Sequence, residues 1–251
     1  MTSIDGATTM IREPQILACS GVLFPPAGFR HVGVQIWQAR QLAGVRKPRM
    51  CLIATAVGDS REHIDGWCAR AASFGDTDLS FLQLFTQPNV KDVRAHLLAQ
   101  DVIFVSGGSV VNLLAVWRAH RLDEILRECW EKGVVLAGQS AGSLCWHAGG
   151  VTDSFGDDLD ALDDGLDFLP FSNGVHDDLG DQPRRARFRE SVAHGTLPAG
   201  YATEDGVALH YVGTGLHEVV SVLPDRNAWF VEGDGEGGMR EQALPARCWV
   251  P

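Results

Sequence analysis

The five residues Gly138-Gln139-Ser140-Ala141-Gly142 spell Gly-x-Ser-x-Gly, and they follow the apolar run Val134-Val135-Leu136-Ala137. A buried strand that enters a tight turn and leaves as a helix is a nucleophile elbow. It lifts a serine hydroxyl to the carboxyl end of a sheet. Glycines on either side of the serine let neighbouring backbone come close. Free N–H groups and the dipole at the start of the helix would face the point where negative charge develops in acyl transfer. By itself the pattern also fits a plain turn of small residues, so the chemistry needs partners elsewhere in the chain.

A serine hydroxyl is a weak nucleophile until a base takes its proton, and that base must be held by a third group. Nine histidines are available. His31, His63, His96 and His120 lie before the elbow, in or beside helical patterns. His147 falls in the expected elbow helix, pointing away from Ser140. His194 ends a polar helix, and His210 and His217 lie in or beside late strands. His176 differs. It follows the strand-like lead Leu169-Pro170-Phe171-Ser172-Asn173-Gly174-Val175, which puts an imidazole at a strand end in the later half of the chain. A histidine in a surface loop is the plainer alternative.

Taken together, Ser106-Gly107-Gly108, Gly138-Gln139-Ser140-Ala141-Gly142, Val175-His176-Asp177 and Tyr201-Ala202-Thr203-Glu204-Asp205-Gly206 resemble the aspartyl dipeptidase (peptidase E) family of serine peptidases. Cyanophycinases belong to the same group. The resemblance runs from about Met50 to Val222, and takes in Val151-Thr152-Asp153-Ser154 and Leu197-Pro198-Ala199-Gly200. It implies a flavodoxin-like α/β fold, similar to class I glutamine amidotransferases with Ser in place of Cys. It also implies a Ser–His–Glu triad: Ser140 as nucleophile, His176 as general base and then acid, and Glu204 orienting the imidazole. Asp205 is the neighbouring alternative to Glu204, and Asp153 a more distant one. The oxyanion donors would be the backbone N–H groups of Gly108 and Ala141. Relatives often carry Asn-Thr after the paired glycines where this chain has Ser109-Val110, which puts specificity in question. An aspartyl substrate would need a cation, best a bidentate arginine. Arg184, Arg185, Arg187 and Arg189 lie shortly after His176, with a solvated basic helix as the plainer reading. Ser109, Asp153, Arg184 and Arg185 are therefore the candidate substrate contacts.

The elements that must position these residues read as alternating strands and helices. Strands are expected at Ile16–Ala18, Met50–Ala56, Leu79–Phe85, Asp101–Val105 and Val134–Ala137. Helices are expected at Val34–Ala43, Arg61–Phe74, from Asn89 or Lys91 to Ala99, Val111–His120 and Leu122–Lys132. Continuous apolar strands alternating with helices argue for a mainly parallel sheet covered on both faces. Ligands bind such sheets at the carboxyl ends of the strands, where Ser106–Ser109 and Gly138–Gly142 both fall. Residues 1–14 read as a loose start, and Pro25-Pro26 with Gly28 as a loop. The acid-rich stretch Val151–Asp181 lacks EF-hand spacing, so it is read as a solvated loop and not a metal site. A charged helix follows over Pro183–Ala193. Gly200–Gly206 reads as a turn-bounded segment. Val207–Tyr211, Glu218–Leu223 and Ala228–Val231 read as late strands. No repeat or linker divides the 251 residues, so one domain is expected.

At 45% hydrophobic and 21% charged, the composition is that of an ordinary globular protein. A formal net charge of −11 disfavours a nucleic-acid partner, which needs clustered Lys and Arg. The apolar runs fall short of the ~20 residues that cross a bilayer, so no membrane partner is expected. Six scattered cysteines without a C-x-x-C pair suit a reducing cytoplasm. The chemistry calls for no cofactor and no metal, only a small peptide as substrate. A homodimer is compatible with this reading. A cyanophycinase-like hydrolase of aspartyl-arginine linkages is one rival. The other is a catalytically silent relative that binds a small ligand in the same crevice.

Overall fold

The computed structural model describes residues 12–23, 33–180 and 182–251. The proposed Pro25-Pro26-Gly28 loop, His31, Asp181 and most of the loose start lie outside them. The first half alternates as the sequence suggests: β1 (Gln15–Cys19), α1 (Val34–Leu42), β2 (Arg49–Ile53), α2 (Arg61–Ala72), β3 (Asp78–Leu82), α3 (Val93–Leu98), β4 (Val102–Val105), α4 (Val110–Ala119), α5 (Leu122–Glu131) and β5 (Val135–Gln139). Strands β1, β5, β4, β2 and β3 are neighbours in that order and pair in parallel.

Alternate residues of these strands feed two cores, because successive side chains point to opposite faces. On one face Ile16, Ile53, Val105 and Leu136 pack against Leu113, Trp117 and Leu126 of α4 and α5. On the other, Leu17, Leu52, Phe104 and Ala137 pack against Ile36 of α1 and Ile64 and Trp67 of α2. Burial on both sides explains why the strands read as unbroken apolar runs. Among the described residues, no helix is long and apolar enough to cross a membrane.

After β5 the structure departs from the expectation. The elbow helix α6 (Ala141–Leu144) is a single turn, and His147, assigned to that helix, instead begins β6 (His147–Thr152). The acid-rich stretch Val151–Asp181, expected as a solvated loop, instead contains β7 (Asp160–Leu162) and all of β8 (Leu169–Val175). After α7 (Arg184–Ala193), the segment read as turn-bounded contains β9 (Gly200–Thr203). These strands build a second sheet that the sequence reading lacked, in the order β13-β12-β9-β8-β6-β7, with β12 (Asn227–Gly233) and β13 (Met239–Pro245). The remaining strands, β10 (Val207–Val212), β11 (Gly215–Ser221) and β14 (Arg247–Cys248), extend the first sheet beyond β1. Its core is parallel, and β10 joins it antiparallel.

The two sheets are stitched where α6 passes between them. Ser143 Oγ donates to Asn173 Oδ1 at 2.8 Å, and Asn173 Nδ2 donates to the Tyr201 carbonyl at 2.9 Å. Nearby, buried His147 places Nδ1 2.9 Å from the Ser143 carbonyl and Nε2 3.2 Å from the Tyr211 hydroxyl. A carbonyl only accepts, so Nδ1 carries the hydrogen and Nε2 accepts from Tyr211. Burial, opposed by the Ser143 carbonyl, pushes the His147 pKa down to about 4.

The folded state therefore holds this imidazole neutral, while the unfolded chain protonates it near pH 6.5. The stability it secures is present above pH 6.5 and is lost as the pH falls from there toward 4, by up to roughly 3 kcal/mol. His63, His96 and His210 are also lowered, chiefly by burial, and act in the same direction. We expect the Tm to fall over this window, and to fall less steeply in His147→Gln, followed by circular dichroism. An identical slope in the variant would show that the imidazole is not the source.

Candidate active site

Ser140 follows β5 and opens α6 with φ 52° and ψ −111°. A non-glycine residue in this region carries strain on the order of 1–3 kcal/mol, so the surroundings must hold it there. The turn closes because backbone fills the space that side chains would need. A Cβ on Gly142 would lie 2.4 Å from the Val105 carbonyl oxygen, so only glycine fits. The Ser140 N–H donates to the Cys19 carbonyl at 2.9 Å, anchoring this serine to the end of β1.

His176 follows β8 and also has a positive φ, 58°. Its Nε2 lies 3.1 Å from Ser140 Oγ, and its Nδ1 lies 2.5 Å from Asp205 Oδ1. A carboxylate accepts only, so Nδ1 carries the hydrogen and Nε2 presents its lone pair to the serine hydroxyl. His176 and Asp205 are both buried, which strengthens their interaction relative to water.

The acid in contact with the imidazole is thus Asp205, not the expected Glu204. Strand parity explains the correction. Val175 of β8 pairs with Thr203 of β9, and the next two side chains leave in opposite directions. Glu204 turns toward β12, where its Oε2 accepts the Asn227 N–H at 2.9 Å. Asp205 lies on the connection from β9 to β10, where the chain crosses from the second sheet back to the first, and faces His176. Asp153 pairs with Arg184 instead, at 2.7 Å.

Residues 20–23, just past β1, tie the three groups together, and the sequence reading did not single them out. Ser20 Oγ accepts the His176 N–H at 2.8 Å and donates to the Thr203 carbonyl at 3.2 Å. The Gly21 carbonyl accepts the Gly206 N–H at 2.6 Å, and the Leu23 N–H donates to Asp205 Oδ2 at 2.9 Å. The neighbouring acids add a further brace. Asp178 Oδ1 accepts the Asp205 N–H at 2.7 Å while Oδ2 pairs with Arg226 at 2.5 Å. Asp177, its side chain only 1% exposed, pairs with Arg189 at 2.8 Å.

The other candidates separate. Gly108, at φ 134°, would clash with the Ala56 carbonyl if it carried a Cβ, and it lines the same cleft as Ser140. Ala141 is the first residue of α6, so its N–H has no partner within the helix. With α6 only one turn long, such local N–H groups, not a macrodipole, supply the positive potential. Ser109 caps α4, its Oγ accepting the Asn112 N–H at 3.2 Å. Arg184 is held by Asp153 and Gln182. Arg185 pairs with Asp177 and Glu241 and lies over the Trp229 ring. Neither guanidinium lines the cleft, and both are paired with nearby carboxylates. Among the described residues, no group of three His, Cys, Asp or Glu is placed to hold a metal.

An α/β fold with a serine on a strained elbow, an imidazole against its hydroxyl and a carboxylate behind the imidazole has the geometry of a hydrolase that works through a covalent intermediate. Comparison with known proteins gives the family. Residues 28–219 match Peptidase family S51, and the chain belongs to this family, the peptidase E family of serine-type peptidases. It is 42% identical over 185 residues to the uncharacterized peptidase YgaJ of Bacillus subtilis (strain 168), covering 74% of this chain and 78% of that protein. The structure of a peptidase from an acI-B1 Actinobacterium superposes with a TM-score of 0.68 at 17% identity, covering 94% of this chain and 96% of that one. A putative peptidase E protein from Listeria monocytogenes EGD-e gives 0.56 at 16% identity, covering 92% and 99%. At these identities the structural likeness speaks to the fold alone.

Replacing the acid tests the site's geometry. Asp205→Asn should lower kcat by up to roughly 10⁴-fold, because the amide leaves the imidazole without its orienting acceptor. Glu204→Gln should leave kcat nearly unchanged. Steady-state kinetics with any cleaved peptide distinguish the two, and the reverse pattern would restore Glu204. Ser20→Ala leaves the buried His176 N–H without its partner, and should cost about 1–3 kcal/mol of stability in denaturant melts while lowering kcat more than it raises KM.

Proposed function

We propose that this protein hydrolyses short peptides through an acyl-enzyme formed on Ser140, with His176 and Asp205 completing a Ser–His–Asp triad. The observation that carries the reading is the unbroken contact chain from the Ser140 hydroxyl through both ring nitrogens of His176 to Asp205. In this mechanism Oγ attacks the scissile carbonyl as its proton passes to Nε2. The resulting imidazolium is stabilised by Asp205, whose oxygen already accepts from Nδ1. The carbonyl oxygen becomes an oxyanion, and the N–H groups of Gly108 and Ala141 are its donors. Each such donor is worth about 2.7–4 kcal/mol of barrier where measured in other enzymes. Collapse expels the amine, which takes the proton from Nε2. Water then enters by the reverse sequence, with His176 again the base, and releases the acid.

The preference for a small substrate rests on the cleft around Ser140, about 230 Å³ in volume. A cleft of that size supports a short peptide substrate. The test is chemical. A fluorophosphonate probe should label the wild-type protein at Ser140, located by peptide mass mapping. Ser140→Ala should lose both the label and peptide hydrolysis, the latter by roughly 10⁴-fold or more, with an unchanged circular dichroism spectrum. Undiminished hydrolysis by the variant would remove Ser140 from the mechanism.

A further inference from the structure

The side chains of β5 alternate between the two faces of the first sheet. The last of them, Gln139, falls on the face where Ala137 packs with Ile64 and Trp67 of α2. Its carboxamide therefore leaves the strand on the α2 side of Ser140, while α6 closes against Gly138 on the other side. Gly21, past β1, and Gly107, past β4, stand next to it, and a Cβ built on either would lie 3.9 Å from Gln139 side-chain carbons. Half-buried, Gln139 lines the same cleft as Ser140 and His176. Among the described residues, its carboxamide has no hydrogen-bond partner. Two more polar groups on this face are open in the same way. The Ser106 N–H continues the β4 ladder to the Ile53 carbonyl at 3.0 Å, so its side chain follows Phe104 onto the α2 face. It is fully buried, and its hydroxyl has no partner. His63, on the first turn of α2, lines the cleft with its Nε2 shielded and unpartnered. Burial and the nearby Arg70 cation both favour its neutral form. Buried polar groups in folded proteins are nearly always hydrogen-bonded. Three left open on one side of a single serine mark a place where the substrate brings the partner.

We infer that Gln139 is a specificity-determining residue, its carboxamide hydrogen-bonding the carboxamide of an asparaginyl or glutaminyl side chain that flanks the scissile bond. The inference rests on the peptidase reading above and narrows its substrate. The Gln139 head offers a donor and an acceptor in one plane, and a second carboxamide meets both. The Ser106 hydroxyl and His63 Nε2 add further hydrogen-bonding capacity on the same side of Ser140. An aliphatic side chain of the same shape would take water from the Gln139 head and leave both of its functions unpaired.

The test uses near-isosteric pairs: asparaginyl-alanine with leucyl-alanine, and alanyl-asparagine with alanyl-leucine for the other side of the bond. Each peptide is added against the fluorophosphonate probe, and the concentration that halves the rate of Ser140 labelling is read, so slowly cleaved peptides count as well. In one of the pairs the wild type should need about tenfold less of the asparagine peptide, or better. Sites built to hydrogen-bond a substrate group reject the analogue lacking it by at least that much. Gln139→Leu should lower this ratio by about tenfold or more. Gln139→Glu, which keeps the shape and an acceptor but no donor, should lower it as well. Each ratio is internal to one preparation, so a loss of folded protein does not alter it. Protection by no peptide, equal or better protection by the leucine peptide in both pairs, or a ratio unchanged in both variants overturns the inference while leaving the peptidase reading intact. Cleavage of no peptide together with no labelling of Ser140 overturns both.

Discussion

Ser140 and His176 occupy the left-handed half of backbone space, φ 52° and 58°, and the short segment that leaves β1 holds both of them there. Cys19 supplies the carbonyl that fixes the Ser140 N–H. Ser20 supplies the hydroxyl that fixes the His176 N–H. Gly21 and Leu23 fix the backbone after Asp205 and its carboxylate. The serine comes from the first sheet, the histidine from the second, and the acid from the crossing between them. Without a common strut, two strained residues on different sheets would relax independently, and a hydrogen bond of 3.1 Å would be lost to small rotations. The β1 exit is that strut.

The same logic explains the density of charge around His176. Asp177 and Asp178 follow it directly, and in water both would pull the loop outward. Instead Asp177 is buried against Arg189, which also pairs with Glu241 of β13. Asp178 bridges Arg226 and the Asp205 N–H. Removing one partner of a buried pair leaves an uncompensated charge, at a cost of about 3–5 kcal/mol, so the pairs enforce one position of the loop. Acids on the loop and arginines on α7 and before β12 thus contribute geometry, although the pairs add little net stability by themselves.

Much of the frame was legible in the sequence because the physics there is local. The strands buried on both faces, β2, β4 and β5, read as apolar runs, and the elbow read as a strand followed by small residues. Ser140 was singled out for that reason, and His176 by the strand-like lead before it together with the family resemblance. What escaped depends on pairing between distant segments. β7 and β9 are three and four residues long, too short for a period to show, and they become strands only by adding to β6 and β8. The choice between Glu204 and Asp205 turns on a parity fixed by the register of β9 against β8. Ser20 acts through one hydroxyl and two backbone partners, which leaves no pattern in its own neighbourhood. The arginines of α7 were visible, but the carboxylates that occupy them arrive from β13 and from the loops after β6 and β8.

That last displacement bears on what kind of catalyst this is. A guanidinium in the cleft would attract an acidic substrate, but it would also compete for Asp205, whose negative charge His176 needs when it becomes a cation. Here the arginines of α7 are paired with acids of their own, and the carboxylate behind the imidazole accepts from Nδ1 and from the Leu23 N–H. Leu23, whose N–H holds the Asp205 carboxylate, also lines the cleft that contains Ser140. One residue thus meets Asp205 through its backbone and the cleft through its side chain. A substitution at position 23 can change the side chain that lines the cleft while keeping the brace, since any residue but proline retains the N–H. The brace on Asp205 therefore constrains the backbone at position 23 and leaves the side chain there free of that bond.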